Sequence, residues 1–278
     1  MINEFSRKMT KKIPFTKMQG AGNDYIYIDV RHEAIKDAAA LAIKLSKPHF
    51  GIGSDGLVLI GNSEIGDFSM HIYNADGSEA EMCGNASRCI GKYVYEKGLT
   101  AKREILLETL SGIKILKLNV ENEKVISVTV DMGEPMVGER DVTVEAKGEK
   151  FRGSKVSMGN PHFVIFTDAV EKIPLSEVGP VIEHDAKFPE GTNVEFVEIN
   201  GYDEVRVRVW ERGSGITMAC GTGSCAVAVA CVTSGRCGRK VGVTMDGGRL
   251  VVEWDAESRH VMMTGPAEFV FEGSIEVE

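Results

Sequence analysis

The sequence predicts an α+β protein of two pseudo-symmetric lobes, each rich in β-strand and each carrying one helix that starts at a cysteine. Three observations carry this reading: a twofold internal repeat, period-two alternation of apolar residues, and a run of small residues after each of two Cys-Gly pairs.

The repeat has a constant spacing. Gly22-Asn23-Asp24-Tyr25, followed by Ile26-Tyr27-Ile28, resembles Gly159-Asn160-Pro161-His162, followed by Phe163-Val164-Ile165, at an offset of 137 residues. Met70-His71-Ile72-Tyr73-Asn74 resembles Val207-Arg208-Val209-Trp210-Glu211, and Cys83-Gly84-Asn85-Ala86-Ser87 resembles Cys220-Gly221-Thr222-Gly223-Ser224, both at the same offset. Between these anchors Gly53-Ser54-Asp55 matches Gly191-Thr192-Asn193 with the offset slipped by one, and Met132-Gly133-Glu134-Pro135 echoes Thr264-Gly265-Pro266. The expected lobes are 9–130, completed by 265–278, and 131–264. Residues 1–8 read as a leader or tag, because Met9-Thr10-Lys11-Lys12 makes a natural start ahead of the first apolar strand.

Within each lobe, Val, Ile and aromatic residues alternate with polar ones, as in 125–130 and 205–210, and Gly or Asp turns separate the runs. The small-residue runs 86–97 and 224–234 read as helices closed by Gly98 and Gly235, residues suited to the left-handed position after a helix. Each cysteine of a Cys-Gly pair therefore stands at a helix start.

Composition narrows the function. Hydrophobic residues at 43% and charged residues at 26% are ordinary for a globular core, and a net charge of −9 repels a phosphate backbone, so nucleic acid is not an expected partner. The longest apolar run, 225–232, is far short of the roughly twenty residues that cross a bilayer. No membrane partner is expected, and the cytoplasm is the expected location. Six cysteines with no two-residue metal-knuckle spacing form neither a disulfide framework nor a metal site.

A thiol is only a few per cent ionised at neutral pH, whereas a helix N-terminus carries partial positive charge and free N–H groups that favour a thiolate. Two such helix starts, brought face to face by the repeat, would hold a carboxylate between them. With the α-carbon of an amino acid between two thiols, one removes the α-proton and the other delivers a proton to the opposite face. The N–H groups of Gly84, Asn85, Gly221 and Thr222 would stabilise charge developing on the carboxylate. No dinucleotide fingerprint or distinctive lysine is present, so the expected route uses no cofactor.

These residues resemble diaminopimelate epimerases over nearly the whole chain from Ile13 onward. The carrying stretches are Gly20-Ala21-Gly22-Asn23-Asp24, Asn74-Ala75-Asp76-Gly77-Ser78, Cys83-Gly84-Asn85, Met158-Gly159-Asn160-Pro161-His162, Glu211-Arg212-Gly213 and Ala219-Cys220-Gly221-Thr222-Gly223. The resemblance implies two similar lobes, each a curled mixed sheet around a central helix, an active site in the cleft between them, and no cofactor. It implies Cys83 and Cys220 as the acid/base pair, with Gly84, Asn85, Gly221 and Thr222 on the reacting carboxylate. It places Asn23, Asn74, Asn160, Asn193, Glu211 and Arg212 around a small diamino-dicarboxylate substrate, for which Arg212 offers a two-pronged donor and Glu211 a partner for an ammonium. His162 and Glu211 are similar to family residues that tune the two thiols. The implied reaction is conversion of LL-diaminopimelate to its meso form.

The sequence departs from the family pattern at Ala86, where Gly is frequent, at Ile216, where an acidic residue is usual, and at Gly56, where some members have Gln. Phe271 stands where some members have a tyrosine at a dimer contact, which implies a homodimer. Rival readings are a racemase of another amino acid such as histidine, an isomerase of the phenazine-biosynthesis type, a non-catalytic amino-acid-binding protein, and a cysteine hydrolase using His162. The first keeps both thiols; the others do not need a pair in register. Cys89, Cys225, Cys231 and Cys237 read as buried small hydrophobes, and Arg88 as structural.

Overall fold

The computed structural model describes residues 11–277, and the segment read as a leader or tag lies outside the described residues. The first half of the chain runs β1 (Lys11–Gly20), β2 (Asn23–Asp29), α1 (Ala38–Ser46), β3 (Gly56–Gly61), β4 (Phe68–Asn74), β5 (Glu79–Ala80), α2 (Gly84–Glu96), β6 (Glu104–Thr109), β7 (Gly112–Glu121) and β8 (Lys124–Asp131). It continues with β9 (Met136–Val137), β10 (Val142–Ala146), β11 (Glu149–Ser157), β12 (Pro161–Phe166), α3 (Leu175–Glu183) and β13 (Asn193–Gly201). The last part is β14 (Glu204–Glu211), β15 (Gly215–Ile216), α4 (Gly221–Thr233), β16 (Lys240–Met245), β17 (Gly248–Trp254), β18 (Val261–Gly265) and β19 (Glu268–Val277).

The strand pairings reproduce the repeat. In the first half β1, β2, β3, β4, β6, β7 and β8 follow one another as neighbours, with β2–β3 and β4–β6 parallel and the rest antiparallel. In the second half β11, β12, β13, β14, β16, β17 and β18 do the same, again with the second and fourth pairings parallel. The halves meet where β8 pairs with β18. One outer strand crosses over: β19, which follows the second half, pairs with β1, while β10 pairs with β11 within its own half. This is the expected α+β fold of two pseudo-symmetric lobes.

The slipped offset expected around 53–55 is not carried into the strands. Ile26 pairs with Leu57 and Phe163 with Val194, so both partners keep the spacing of 137, and Gly56 rather than Asp55 occupies the strand position of Asn193. The loop before β3 absorbs the difference.

Helices α2 and α4 are each enclosed by their own half of the sheet. In α2 ten of the thirteen residues are buried, and in α4 ten of thirteen, the latter a run of Gly, Ala, Ser, Cys and Val apolar all round. Small side chains let the strands approach α4 closely. Cys89, Cys225 and Cys231 join Ile90, Val94 and Met263 in one shared core, as expected of small hydrophobes. Outside it, α1 and α3 cover the remaining faces with separate clusters.

Candidate active site

The two cysteines cap their helices. Cys83 is the N-cap of α2 and Cys220 of α4, both in extended backbone, and their sulfurs accept from the N–H groups of Ala86 at 3.5 Å and Gly223 at 3.3 Å. This is the N-cap geometry usually supplied by Ser or Asp, here supplied by sulfur. The helix starts meet head to head: a methyl placed on Gly221 would lie 3.8 Å from the Gly84 Cα, and the Asn85 amide reaches the Ala219 carbonyl at 3.5 Å. Glycine at position 84 leaves room for Met263 behind the junction, whose Cε a methyl there would meet at 2.5 Å.

A cleft of about 520 Å³ opens beside the pair, lined from the first half by Asn23, Tyr25, Asp55 and Asn74 and from the second by Glu211, Ile216, Thr217 and Met218. Asn23 enters it from the Ala21-Gly22 turn, where both residues have positive φ, 56° and 82°, as a tight hairpin turn requires. Its amide donates to Asp55 Oδ2 at 2.6 Å, which leaves Oδ1 facing the Cys83 sulfur at 3.5 Å and the Asn85 amide at 3.4 Å. Asn74 donates to the Ser78 hydroxyl at 3.0 Å.

On the other side Asn160 donates to Thr222 Oγ1 at 3.2 Å, and Thr222 Oγ1 lies 3.6 Å from the Cys220 sulfur. The buried His162 ring lies between Asn160 Oδ1, 3.1 Å from Nε2, and Glu195 Oε1, 2.7 Å from Nδ1. Asn193 is fixed by the Pro161 carbonyl at 2.8 Å and the Arg212 N–H at 2.9 Å. Glu211 accepts from the Thr217 hydroxyl.

The thiols differ from expectation. Burial pushes the Cys83 thiol up, against hydrogen bonds from the Ala86 and Asn85 N–H groups and Tyr25. Cys220 is raised further, by burial and then by the neighbouring Glu211 and Glu195 carboxylates. Loss of solvation outweighs the helix N-termini here, so neither helix start by itself yields a ready thiolate. Glu211 is likewise raised by burial, opposed by hydrogen bonds from Thr217 and Cys220.

Of the residues singled out from sequence, Cys83, Cys220, Gly84, Asn85, Gly221, Thr222, Asn23, Asn160 and His162 cluster at the helix starts, and Asn74 and Glu211 line the cleft. Arg212 is exposed and holds the Glu190 carbonyl at 2.9 Å rather than pointing at the thiols. Tyr25, Asp55, Glu195 and Thr217 were not singled out. Tyr25 occupies the place of His162 in the repeat, a signal present in the sequence. Among the described residues no cluster of His, Cys, Asp and Glu is suited to a metal ion.

The sequence pattern of diaminopimelate epimerases matches residues 15–137 and 154–270. The chain belongs to the diaminopimelate epimerase family. Diaminopimelate epimerase of Parabacteroides distasonis is 63% identical over 269 residues, covering 97% of this chain and 100% of that one. The Methanococcus maripaludis enzyme of the same name is 50% identical over 275 residues, covering 95% and 99%. Among solved structures, a PhzF-family phenazine biosynthesis protein from Bacillus anthracis superposes with a TM-score of 0.78 at 17% identity, covering 96% of this chain and 100% of that one. A hydroxyproline epimerase from Agrobacterium vitis, with bound trans-4-hydroxy-L-proline, gives 0.69 at 16% identity, covering 96% and 93%. At these identities the two structures share the fold alone.

Proposed function

We propose that this chain converts LL-diaminopimelate to meso-diaminopimelate by two-base proton transfer between Cys83 and Cys220. The observation that carries the reading is the meeting of two helix N-termini, each capped by a cysteine, in a member of this family. The reacting carboxylate lies against the N–H groups of Gly84, Asn85, Gly221 and Thr222, where the charge formed on loss of the α-proton is met by fixed donors. One thiolate takes the α-proton as the C–H pair passes toward the carboxylate, and the opposite thiol gives its proton to the other face.

Asn23 and Asn160, each fixed through its own amide, orient the reacting end. Asn74, Asn193, Glu211 and Arg212 serve the distant amino-acid end, where the Arg212 guanidinium would exchange the Glu190 carbonyl for a carboxylate. His162 and Glu211 tune the thiols.

The enzyme works in the cytoplasm as a homodimer in this reading. Among the described residues no helix is long and apolar enough to cross a membrane, and Val270 and Phe271 on β19 are 53% and 46% exposed.

Proton NMR in deuterium oxide, with LL-diaminopimelate and no added cofactor, tests the proposal. Loss of the α-proton signal together with appearance of the meso form is expected. Exchange with another amino acid but none with diaminopimelate would keep the chemistry and overturn the substrate.

A further inference from the structure

The Glu195 carboxylate is fully enclosed, with 0% exposure, and its Oε1 lies 2.7 Å from His162 Nδ1. Its Oε2 has no hydrogen-bond partner among the described residues. A buried carboxylate held by so few contacts is costly, and such groups concentrate where ionisation is being adjusted. Its strand partner in the repeat, 137 residues earlier, is the buried Val58, so nothing in the duplicated fold demands a charge there.

Two contacts tie Glu195 to Cys220. Oε1 would be 2.8 Å from a methyl on Gly223, whose N–H donates to the Cys220 sulfur at 3.3 Å, so the carboxylate lies under the first turn of α4 and offsets its positive end. Through His162 it also fixes a chain of hydrogen bonds. Asn160 turns Oδ1 toward His162 Nε2 and its amide toward Thr222, which leaves the Thr222 O–H for the Cys220 sulfur.

The charges around the two thiols are therefore unequal. Cys220 is faced by Glu195 from β13, Glu211 from β14 and the Thr222 hydroxyl, with His162 from β12 against Glu195 and the Thr217 hydroxyl against Glu211. Cys83 is faced by the Tyr25 phenol from β2, by Asn23 with Asp55 behind it, by Glu211 across the cleft, and on its own helix by the buried Arg88 guanidinium. Arg88 Nη2 has no hydrogen-bond partner among the described residues.

We propose that Glu195 is a positioning residue that sets the order in which the two thiols give up their protons, Cys83 first and Cys220 second. The resting site then offers Cys83 as proton acceptor and Cys220 as proton donor. After one inversion Cys83 holds the substrate's proton and Cys220 is the thiolate, and a proton returns through solvent before the next turnover in the same direction. This rests on the two-thiol reading of the site and adds to it which thiol starts as base.

The test is the pH profile of iodoacetamide alkylation, resolved at Cys83 and Cys220 by peptide mass spectrometry, in the full chain and in Glu195→Gln. In the wild type the Cys83 rate should reach its half-point at lower pH than the Cys220 rate. In Glu195→Gln, which keeps the side-chain shape and removes the charge, the Cys220 half-point should fall by about one pH unit, about tenfold in rate at fixed pH below it. The Cys83 profile should move less. An unchanged Cys220 profile in a folded variant overturns the proposal, as does a wild type in which Cys220 ionises first, a result that needs no variant. Absence of α-proton exchange with LL-diaminopimelate in the wild type would instead strike the substrate assignment and leave the alkylation order intact.

Discussion

Around Cys83 and around Cys220 the backbone does the same thing: a strand, a short hairpin, an N-cap cysteine, then a thirteen-residue helix packed inside its own sheet. The side chains at matching positions do not. Tyr25 matches His162, Asn74 matches Glu211, Val58 matches Glu195, Ala86 matches Gly223 and Arg88 matches Cys225, all 137 residues apart. Duplication supplies the symmetric placement that a two-faced proton transfer needs, and divergence at five neighbours makes the two faces chemically different. The Ala86/Gly223 pair shows how packing follows charge. A methyl fits at Ala86, whereas at Gly223 it would meet Glu195 Oε1 at 2.8 Å.

The comparison breaks most visibly at His162 and Tyr25. His162→Leu strands the enclosed Glu195 carboxylate and should cost roughly 3–5 kcal/mol of stability, as loss of one partner of a buried pair does. Tyr25→Phe keeps the ring and removes only a hydroxyl that hydrogen-bonds near Cys83, and should cost about 1 kcal/mol. Urea unfolding of both variants checks this, and equal losses would mean that Glu195 does not depend on His162.

A smaller contrast is expected at the first turns. Gly223→Ala should cost roughly 1–3 kcal/mol by displacing Glu195 or the cap, while Ala86→Gly should cost at most about 1 kcal/mol, from backbone entropy. Thermal unfolding orders the two. A Gly223→Ala chain as stable as wild type would place Glu195 away from the α4 turn.

The smallest effect lies in alkaline stability. Both thiols titrate above the ordinary range in the folded chain, so as pH rises past about 8.5 the unfolded chain loses protons that the folded one keeps. Stability from these groups is full below that value and falls as pH climbs toward the folded values. Because Cys220 is raised further than Cys83, Cys220→Ala should flatten the fall in melting temperature between pH 8 and 10 more than Cys83→Ala does. The reverse order would contradict the charge difference between the half-sites.

Much of this was legible in the sequence. The constant offset gave the lobes and their matching elements, and a cysteine before a small-residue run gave both N-caps, because short-range helix signals survive without tertiary context. Asn23, Asn160 and Thr222 were legible through the same register. Glu195 was not, because alternation assigns a glutamate between Val194 and Phe196 to the solvent face, whereas the start of β13 is buried on both faces, by α3 on one side and α4 on the other. The ionisation of the thiols is not legible for a related reason. A helix start is visible in sequence, but the loss of solvation that outweighs it exists only once both halves close around the sulfurs. Arg212 has the right residue type for the distant carboxylate, yet its side chain rests on a local carbonyl.

The most direct test of the account follows α-proton exchange and inversion of LL-diaminopimelate by NMR in deuterium oxide for Cys83→Ala and Cys220→Ala beside the wild type. Two opposed thiols predict inversion in the wild type and a loss of inversion rate of at least about a hundredfold in each variant, with both remaining folded. Inversion at near wild-type rate in either variant would show that one thiol suffices and would contradict the two-base assignment.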